Sequence, residues 1–208
     1  MTQFYVALVI DKHNTIKMIE PWMLGGGLNL MEHSWIGDGS VNAVCSLIYN
    51  NPCKVAWIGD YSDRSYDPAK DAYAKTLSCE EFEKVFETAW CGSSFIKPYK
   101  LDQEGSKLTT SEIKTGYLIN HDLKCYVDMA AYIKRSTVPD DSIGGCCIHP
   151  LPLLTACGNG RGDGDFYGRK GRKDVGTWAF HRIMHANEIP SGYNEKDCCF
   201  IDARVPRD

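Results

Sequence analysis

The sequence predicts an α+β fold, with a mixed or antiparallel sheet and a few helices. Residues 4–10 (FYVALVI), 54–63 (KVAWIGDYSD) and 115–133 (TGYLINHDLKCYVDMAAYI) have the aromatic and β-branched composition of strands. Residues 79–90 instead have apolar side chains at helical spacing. The chain has 208 residues and 43% hydrophobic content, which suffices for a single compact domain over residues 1–208.

The first half begins with a predicted hairpin, because a short polar segment separates FYVALVI from IKMIE. After a glycine triplet, Asp38 or Ser40 is expected to cap a short helix, since these residue types accept backbone N–H bonds at helix N-termini. Asn50-Asn51-Pro52 is expected to end this helix. KVAWIGDYSD then follows as a buried strand. The apolar face of the helix is formed by Val41, Val44, Cys45, Leu47 and Ile48.

The second half begins after a polar, turn-rich region that contains Gly105. Before it, Ser78 and Glu81 fit a capping box at the start of the 79–90 helix. The segment TGYLINHDLKCYVDMAAYI predicts a second hairpin that turns at His121-Asp122. GTWAFHRIMHA and CCFIDARV are predicted to be closing strands.

Charge and cysteine usage restrict the classes of protein that this chain can represent. The formal net charge of −4 argues against general nucleic-acid binding and membrane-surface binding, which need a basic face. The first residues lack a signal-peptide pattern, and no apolar run reaches the ~20 residues that cross a bilayer. Ten cysteines without a C-x-x-C motif are expected to be reduced thiols. We therefore expect a cytoplasmic protein.

The stretch IHPLPLLTACGNGRGDGDFYG, residues 148–168, is the main candidate for a functional loop. Four glycines alternate there with Asn159, Arg161, Asp163 and Asp165. Backbone amides in such a loop can form an anion-binding nest, and arginine binds phosphate or carboxylate oxygens bidentately. The alternative is a structural loop in which Arg161 pairs internally with an aspartate. The spacing matches neither nucleotide-binding fingerprint, and the cation at the third ligand position excludes an EF-hand.

A possible duplication relates the two halves of the chain, residues 1–104 and 105–208. LMEHSWIGDG can be aligned with LPLLTACGNG, which pairs Gly37 with Gly158 at an offset of 158 − 37 = 121 residues. Trp57 and Trp178 have the same offset, since 178 − 57 = 121. Two matches at one offset predict two related lobes with a ligand cleft between them. Chance similarity remains the alternative.

Several motifs resemble, in order, those of a family of small hypothetical proteins from bacteria, phages and protists. They are GLNLMEHSWIGDGSVNAV, VAWIGDYSD, YLINHDLKCYV, IHPLPLLTACGNGRGDGDFYG and VGTWAFHRI. The resemblance implies no activity, so it transfers no catalytic residues. The chain departs from the family pattern at Asp163, where a glycine is expected, and at His181, where an acidic residue is expected. The resemblance therefore assigns no role to these two positions.

The leading functional hypothesis is that the protein binds a small anionic ligand of nucleotide or sugar-phosphate type. The hypothesis extends to turnover of that ligand. Histidine titrates near neutrality, so a histidine–aspartate pair can act in acid–base catalysis. The predicted acid–base residues are His33, His149, Asp60 and Asp165. The predicted ligand-binding residues are Trp35, Asp38, Asn159, Gly160, Arg161 and Gly162.

Two alternatives stay open. The four acid–base candidates have donor types that suit zinc or manganese, although buried histidines are more often structural. The protein could instead be a non-catalytic interaction protein, such as a phage-borne inhibitor or a ligand-sequestering protein. The cofactor, the reaction and the oligomeric state do not follow from the sequence.

Overall fold

The computed structural model describes residues 3–60, 62, 79–90, 108–137, 147–158 and 166–202, and its architecture is α+β. The strands are β1 Tyr5–Ile10, β2 Ile16–Ile19, β3 Cys53–Gly59, β4 Tyr117–Asn120, β5 Cys125–Asp128, β6 Ala156–Cys157, β7 Gly168–Lys170, β8 Arg182–Ala186, β9 Asn194–Glu195 and β10 Ile201–Asp202. The α-helices are α1 Gly39–Leu47, α2 Cys79–Trp90, α3 Thr110–Ile113, α4 Met129–Ser136 and α5 Pro150–Leu154. Short 3-10 helices cover Pro21–Leu24, Leu30–Glu32 and Arg172–Asp174.

Eight of the described strands form one mixed sheet in the order β2-β1-β3-β8-β4-β5-β9, with β6 also beside β3. The β3–β6 and β5–β9 pairs are parallel, and the other pairs in this sheet are antiparallel. One edge of β3 is divided between two partners. Its first residues pair with β8, in the register Cys53↔Ile183, and its last residues pair with β6, in the register Trp57↔Ala156. Strands from both halves of the sequence therefore meet at β3.

Apolar side chains cover both faces of the sheet, as the alternation along β1 requires. Tyr5, Ala7 and Val9 belong to the larger buried cluster, which includes side chains of α1, α4 and α5. Val6, Leu8 and Ile10 belong to a second cluster with Val85 of α2. Among the described residues, no helix has both the length and the apolar character that a bilayer crossing requires.

The structure confirms several predicted elements. The first hairpin is β1–β2, and α2 has the predicted bounds Cys79–Trp90. Asp38 is the N-cap of α1, where its side chain accepts hydrogen bonds from the backbone N–H groups of Ser40 and Val41. The second hairpin is β4–β5. Ser78, Gly105 and the loop residues 159–165 lie outside the described residues.

Three predicted strand segments are wrong in part. MAAYI continues the second hairpin in the prediction but forms the start of α4, because the Asp128 side chain accepts a hydrogen bond from the Ala131 N–H and caps a helix. GTWAF is a series of turns in which Gly176 and Phe180 have φ values of 74° and 59°, so it cannot be extended. Within CCFIDARV, the described strand covers Ile201–Asp202, which pairs with β7.

Candidate functional site

Backbone pairing brings together the two segments that contain the candidate histidines His33 and His149. Trp35 and Ile148 form an antiparallel bridge. The His149 N–H donates to the Ser34 carbonyl at 2.7 Å, and the Ile36 N–H donates to the Cys147 carbonyl at 3.1 Å. The segments that contain His33 and His149 therefore run side by side.

The imidazole of His33 is inside the protein, with an exposed fraction of 0%. Its Nδ1–H donates to the Gly27 carbonyl at 3.0 Å, so Nε2 holds the lone pair in the neutral ring. Nε2 is buried and has no hydrogen-bond partner among the described residues. Burial lowers the pKa of His33, against an opposing effect of the Asp38 and Glu32 carboxylates. The ring is thus a neutral base without access to solvent.

His149 is equally buried, at 0% exposure, and it has the opposite tautomer. It is the N-cap of α5, where its Nδ1 accepts a hydrogen bond from the Leu151 N–H at 3.2 Å. The proton is therefore on Nε2, which lies 3.9 Å from the Cys45 sulfur. Burial, with a smaller contribution from nearby His185, lowers the pKa of His149 to about 3.

Cys45 and His149 resemble a cysteine–histidine catalytic pair in composition but not in electrostatics. Burial raises the pKa of the Cys45 thiol and lowers that of the His149 imidazole, so both groups are neutral in the folded protein. A catalytic pair needs a thiolate, which nearby positive charge and partial exposure stabilise. This pair is therefore a packing contact in the core.

The predicted ligand-binding residues in the first half have structural partners. The Asp38 Oδ1 atom accepts from the Ser40 N–H at 2.8 Å and from the Ser40 hydroxyl at 2.5 Å. Trp35 is half-buried and packs against the larger core cluster. In this conformation Asp38 fixes the start of α1, which is a sufficient reason for its presence in the sequence.

Asp60 lies at the carboxyl ends of β3 and β6, where the glycine-rich segment begins. Its Oδ1 atom accepts a hydrogen bond from the Phe4 N–H at 3.1 Å, and its own N–H donates to the Phe4 carbonyl at 3.0 Å. Because Ile58 is in register with Cys157, Gly158 follows β6 beside Gly59. Asp60 and the start of the glycine-rich segment therefore share one end of the sheet.

Gln3 is a polar residue at this end of the sheet that the sequence did not single out. Its exposed fraction is 7%, and its Oε1 atom accepts a hydrogen bond from the Tyr5 hydroxyl at 2.9 Å. Its Nε2 atom is buried and has no hydrogen-bond partner in the described part of the chain. A Cβ at Gly158 would lie 2.6 Å from the Tyr5 hydroxyl and 2.9 Å from Gln3 Oε1, so the glycine permits this close approach. The buried donor of Gln3 therefore lies against Gly59 at the end of β3, whereas its acceptor atom Oε1 faces Gly158.

His181 has a structural partner in Asn120. The Oδ1 atom of Asn120 accepts from the N–H groups of Asp122 and Leu123, so its Nδ2 atom must be the donor to His181 Nδ1, at 2.9 Å. This contact holds His181 neutral, with its proton on Nε2, and burial also lowers its pKa. His181 therefore stabilises the turn before β8.

The remaining predicted site residues, Asn159, Gly160, Arg161, Gly162 and Asp165, lie outside the described residues. Within the described residues, no group of three or more His, Cys, Asp or Glu side chains is arranged to hold a metal ion. Comparisons with protein-family models, curated proteins and solved structures found no match to this chain. The family resemblance and the duplication stay predictions.

Proposed function

We propose that this protein binds a small anionic ligand of nucleotide or sugar-phosphate type at the carboxyl ends of β3 and β6. The observation that supports this proposal is the buried, unpartnered amide donor of Gln3, whose Nε2 atom lies against Gly59 at the end of β3. A buried donor without a partner costs about 1–3 kcal/mol, so a ligand oxygen that accepts its N–H would recover that energy. Arg161 and the loop amides are proposed to bind the anionic group.

Asp60 determines which anion fits best. A carboxylate at the same end of the sheet disfavours a bare anion but accepts hydrogen bonds from the hydroxyls of a sugar. Its Oδ1 atom is fixed by the Phe4 N–H. A ligand with both a phosphate and free hydroxyls would therefore satisfy the site, which is the reason for the nucleotide or sugar-phosphate class. Turnover of the ligand would need His33 or His149, and both are buried in the present conformation.

A substitution at Gln3 tests the proposal directly. Gln3→Glu retains an acceptor for the Tyr5 hydroxyl but replaces the N–H donor with an acceptor, so we expect it to abolish thermal stabilisation by the ligand. Arg161→Ala should have the same effect. Arg135→Ala serves as the control, because Arg135 forms exposed ion pairs with Glu195 and Asp197. Each variant is scanned against nucleotides and sugar phosphates, and its melting temperature is compared with its own ligand-free value.

Two results would contradict the proposal. One is a panel in which the unmodified protein shows no stabilisation by any phosphate compound. The other is a stabilisation that Gln3→Glu and Arg161→Ala leave unchanged. If a ligand does stabilise the protein, mass spectrometry of the recovered ligand shows whether it was only bound or also converted.

An interaction protein is the second candidate, and four exposed apolar side chains favour it. Phe4, Trp22, Met23 and Leu28 have exposed fractions of 38%, 37%, 64% and 37%. The Tyr5 N–H donates to the Leu28 carbonyl and Phe4 is bridged to Asn29, so at least Phe4 and Leu28 are neighbours. Contiguous apolar surface is typical of protein contact sites.

The interaction hypothesis predicts that Met23→Ser weakens binding to a purified partner while changing the free energy of unfolding by no more than about 0.5 kcal/mol, as for other exposed positions. Leu123→Ser is the matched control, since Leu123 is 52% exposed on the β4–β5 turn. Partners are identified by cross-linking and mass spectrometry, and affinities are measured by calorimetry. Equal affinities for both variants would exclude this surface as the contact site.

Within the described residues, the free thiols include Cys45, Cys53, Cys125, Cys198 and Cys199. Free thiols in this number are typical of reducing compartments. We therefore propose that the protein acts in the cytoplasm.

A further inference from the structure

A cavity away from the ends of β3 and β6 has the volume of a ligand site. It encloses about 540 Å³ between the end of α1, strand β8 and the turn that follows β8. Cavities of about 300–1,000 Å³ are typical of small-molecule sites. Its lining residues include Tyr49, Asn50, Asn187 and Glu188, together with the apolar side chains of Met184 and Pro190.

The backbone around this cavity is fixed by hydrogen bonds. The Asn50 N–H donates to the His185 carbonyl at 2.9 Å, and the His185 N–H donates to the Ile48 carbonyl at 3.1 Å. Asn50 has a φ of 49°, which asparagine tolerates better than most residues. The end of α1 is therefore held against β8.

The uncharged polar side chains that line the cavity, Tyr49, Asn50 and Asn187, offer both donors and acceptors. The Asn187 Nδ2 atom donates to the Tyr49 hydroxyl at 3.1 Å, which leaves the Asn187 Oδ1 atom as an acceptor. Glu188 adds a carboxylate, and no Lys, Arg or His is among the described residues that line the cavity. An anion would meet uncompensated negative charge here, whereas a cation with N–H donors would meet acceptors.

We propose that this cavity binds a primary alkylammonium compound, with its ammonium group at Glu188 and Asn187. The apolar side chains of Met184 and Pro190 would contact its alkyl chain, and the aromatic ring of Tyr49 adds a surface that attracts cations. This site differs from the anion site proposed above in its location, its charge and its ligand class. Its occupancy is therefore independent of the proposed function.

Three probes with the same alkyl chain test the preference for charge: n-hexylammonium, 1-hexanol and hexanoate. Binding to the full chain is measured by calorimetry and by changes in the NMR signals of Tyr49 and Asn187. We expect n-hexylammonium to bind at least tenfold more tightly than 1-hexanol, and hexanoate to bind more weakly than either. A hexanoate affinity equal to that of n-hexylammonium would overturn the proposal, as would signal changes confined to other parts of the protein.

Substitution of Glu188 provides the second arm of the experiment. Glu188→Gln should weaken n-hexylammonium binding about tenfold, which corresponds to one charge-assisted hydrogen bond, and should leave 1-hexanol binding unchanged. Glu188→Lys should reverse the preference and favour hexanoate. Glu83→Gln in α2 is the control, because it removes an exposed glutamate that does not line the cavity. An unchanged affinity of Glu188→Gln for n-hexylammonium would refute the role of the carboxylate.

Discussion

Acidification is expected to destabilise this protein strongly, chiefly because His149 cannot take up a proton while it is buried. In the folded state the pKa of His149 is about 3, compared with an ordinary value of 6.5. Each pKa unit of difference corresponds to about 1.36 kcal/mol, so the free energy of unfolding should fall by on the order of 5 kcal/mol. Burial lowers the pKa of His33, His121, His181 and His185 as well, and these groups act in the same direction.

The pH range follows from the two pKa values. Above pH 6.5, His149 is neutral in the folded and the unfolded chain, and it adds no pH dependence. Between pH 6.5 and about 3, only the unfolded chain binds the proton, so stability falls as the pH falls. Below pH 3 both states bind the proton, and the contribution of His149 becomes constant.

Urea unfolding at a series of pH values measures the fall in unfolding free energy. A matched pair of variants shows whether His149 causes it. Asparagine at position 149 can accept the Leu151 N–H, as His149 Nδ1 does, but it does not titrate. His149→Asn should therefore reduce the slope of unfolding free energy against pH by up to about 1.36 kcal/mol per pH unit. Ser191→Asn, at an exposed position whose side chain does not titrate, should leave the slope unchanged. The explanation fails if both variants retain the slope of the unmodified protein.

The largest effect of a single methyl group is expected at Gly171, between β7 and the Arg172–Asp174 helix. Its φ is 88°, and an added Cβ would lie 2.5 Å from the Cys199 carbonyl oxygen and 2.5 Å from Phe200 Cδ1. Phe200 is fully buried and packs edge-on against Phe166, so it has little room to move. Backbone strain and overpacking each cost about 1–3 kcal/mol, and Gly171→Ala should lower the free energy of unfolding by about 4 kcal/mol.

Gly192 separates these two contributions. It has a similar φ of 80°, but an added Cβ would meet no atom within 4 Å. Gly192→Ala should therefore show the conformational cost alone, about 1–2 kcal/mol. Chemical denaturation of both variants gives the packing cost as the difference. If the two variants lose the same free energy of unfolding, the contacts with Cys199 and Phe200 contribute nothing to the cost of Gly171→Ala.

Local sequence patterns predicted the elements whose signals are local. The hairpin β1–β2 and helix α2 follow from apolar periodicity, and the cap of α1 follows from Asp38. The start of α4 was missed because YVDMAAYI continues the composition of a strand, and the helix depends on the Asp128 cap. The turns before β8 depend on the positive φ of Phe180, for which a buried aromatic residue gives no signal.

The candidate site was predicted less completely, because burial and long-range contacts determine where its residues lie. The sequence predicted that His33 and His149 approach one ligand cleft. Their segments pair, and both imidazole rings are fully buried. His149 lies within an apolar run, which was a signal for a buried ring. Gln3 had no such signal, since its environment depends on contacts with Gly59 and Gly158, far along the chain.

The divided edge of β3 makes the two halves of the chain interdependent. β3 belongs to residues 1–104, whereas β6 and β8, which complete its second edge, belong to residues 105–208. A fragment with only the first half would keep the β1 edge of this strand paired but would leave the N–H and C=O groups of its second edge without partners. A fragment with only the second half would lose the strand that joins β6 to β8. Each fragment should therefore fail to fold alone, and the two fragments should restore the fold when they are mixed.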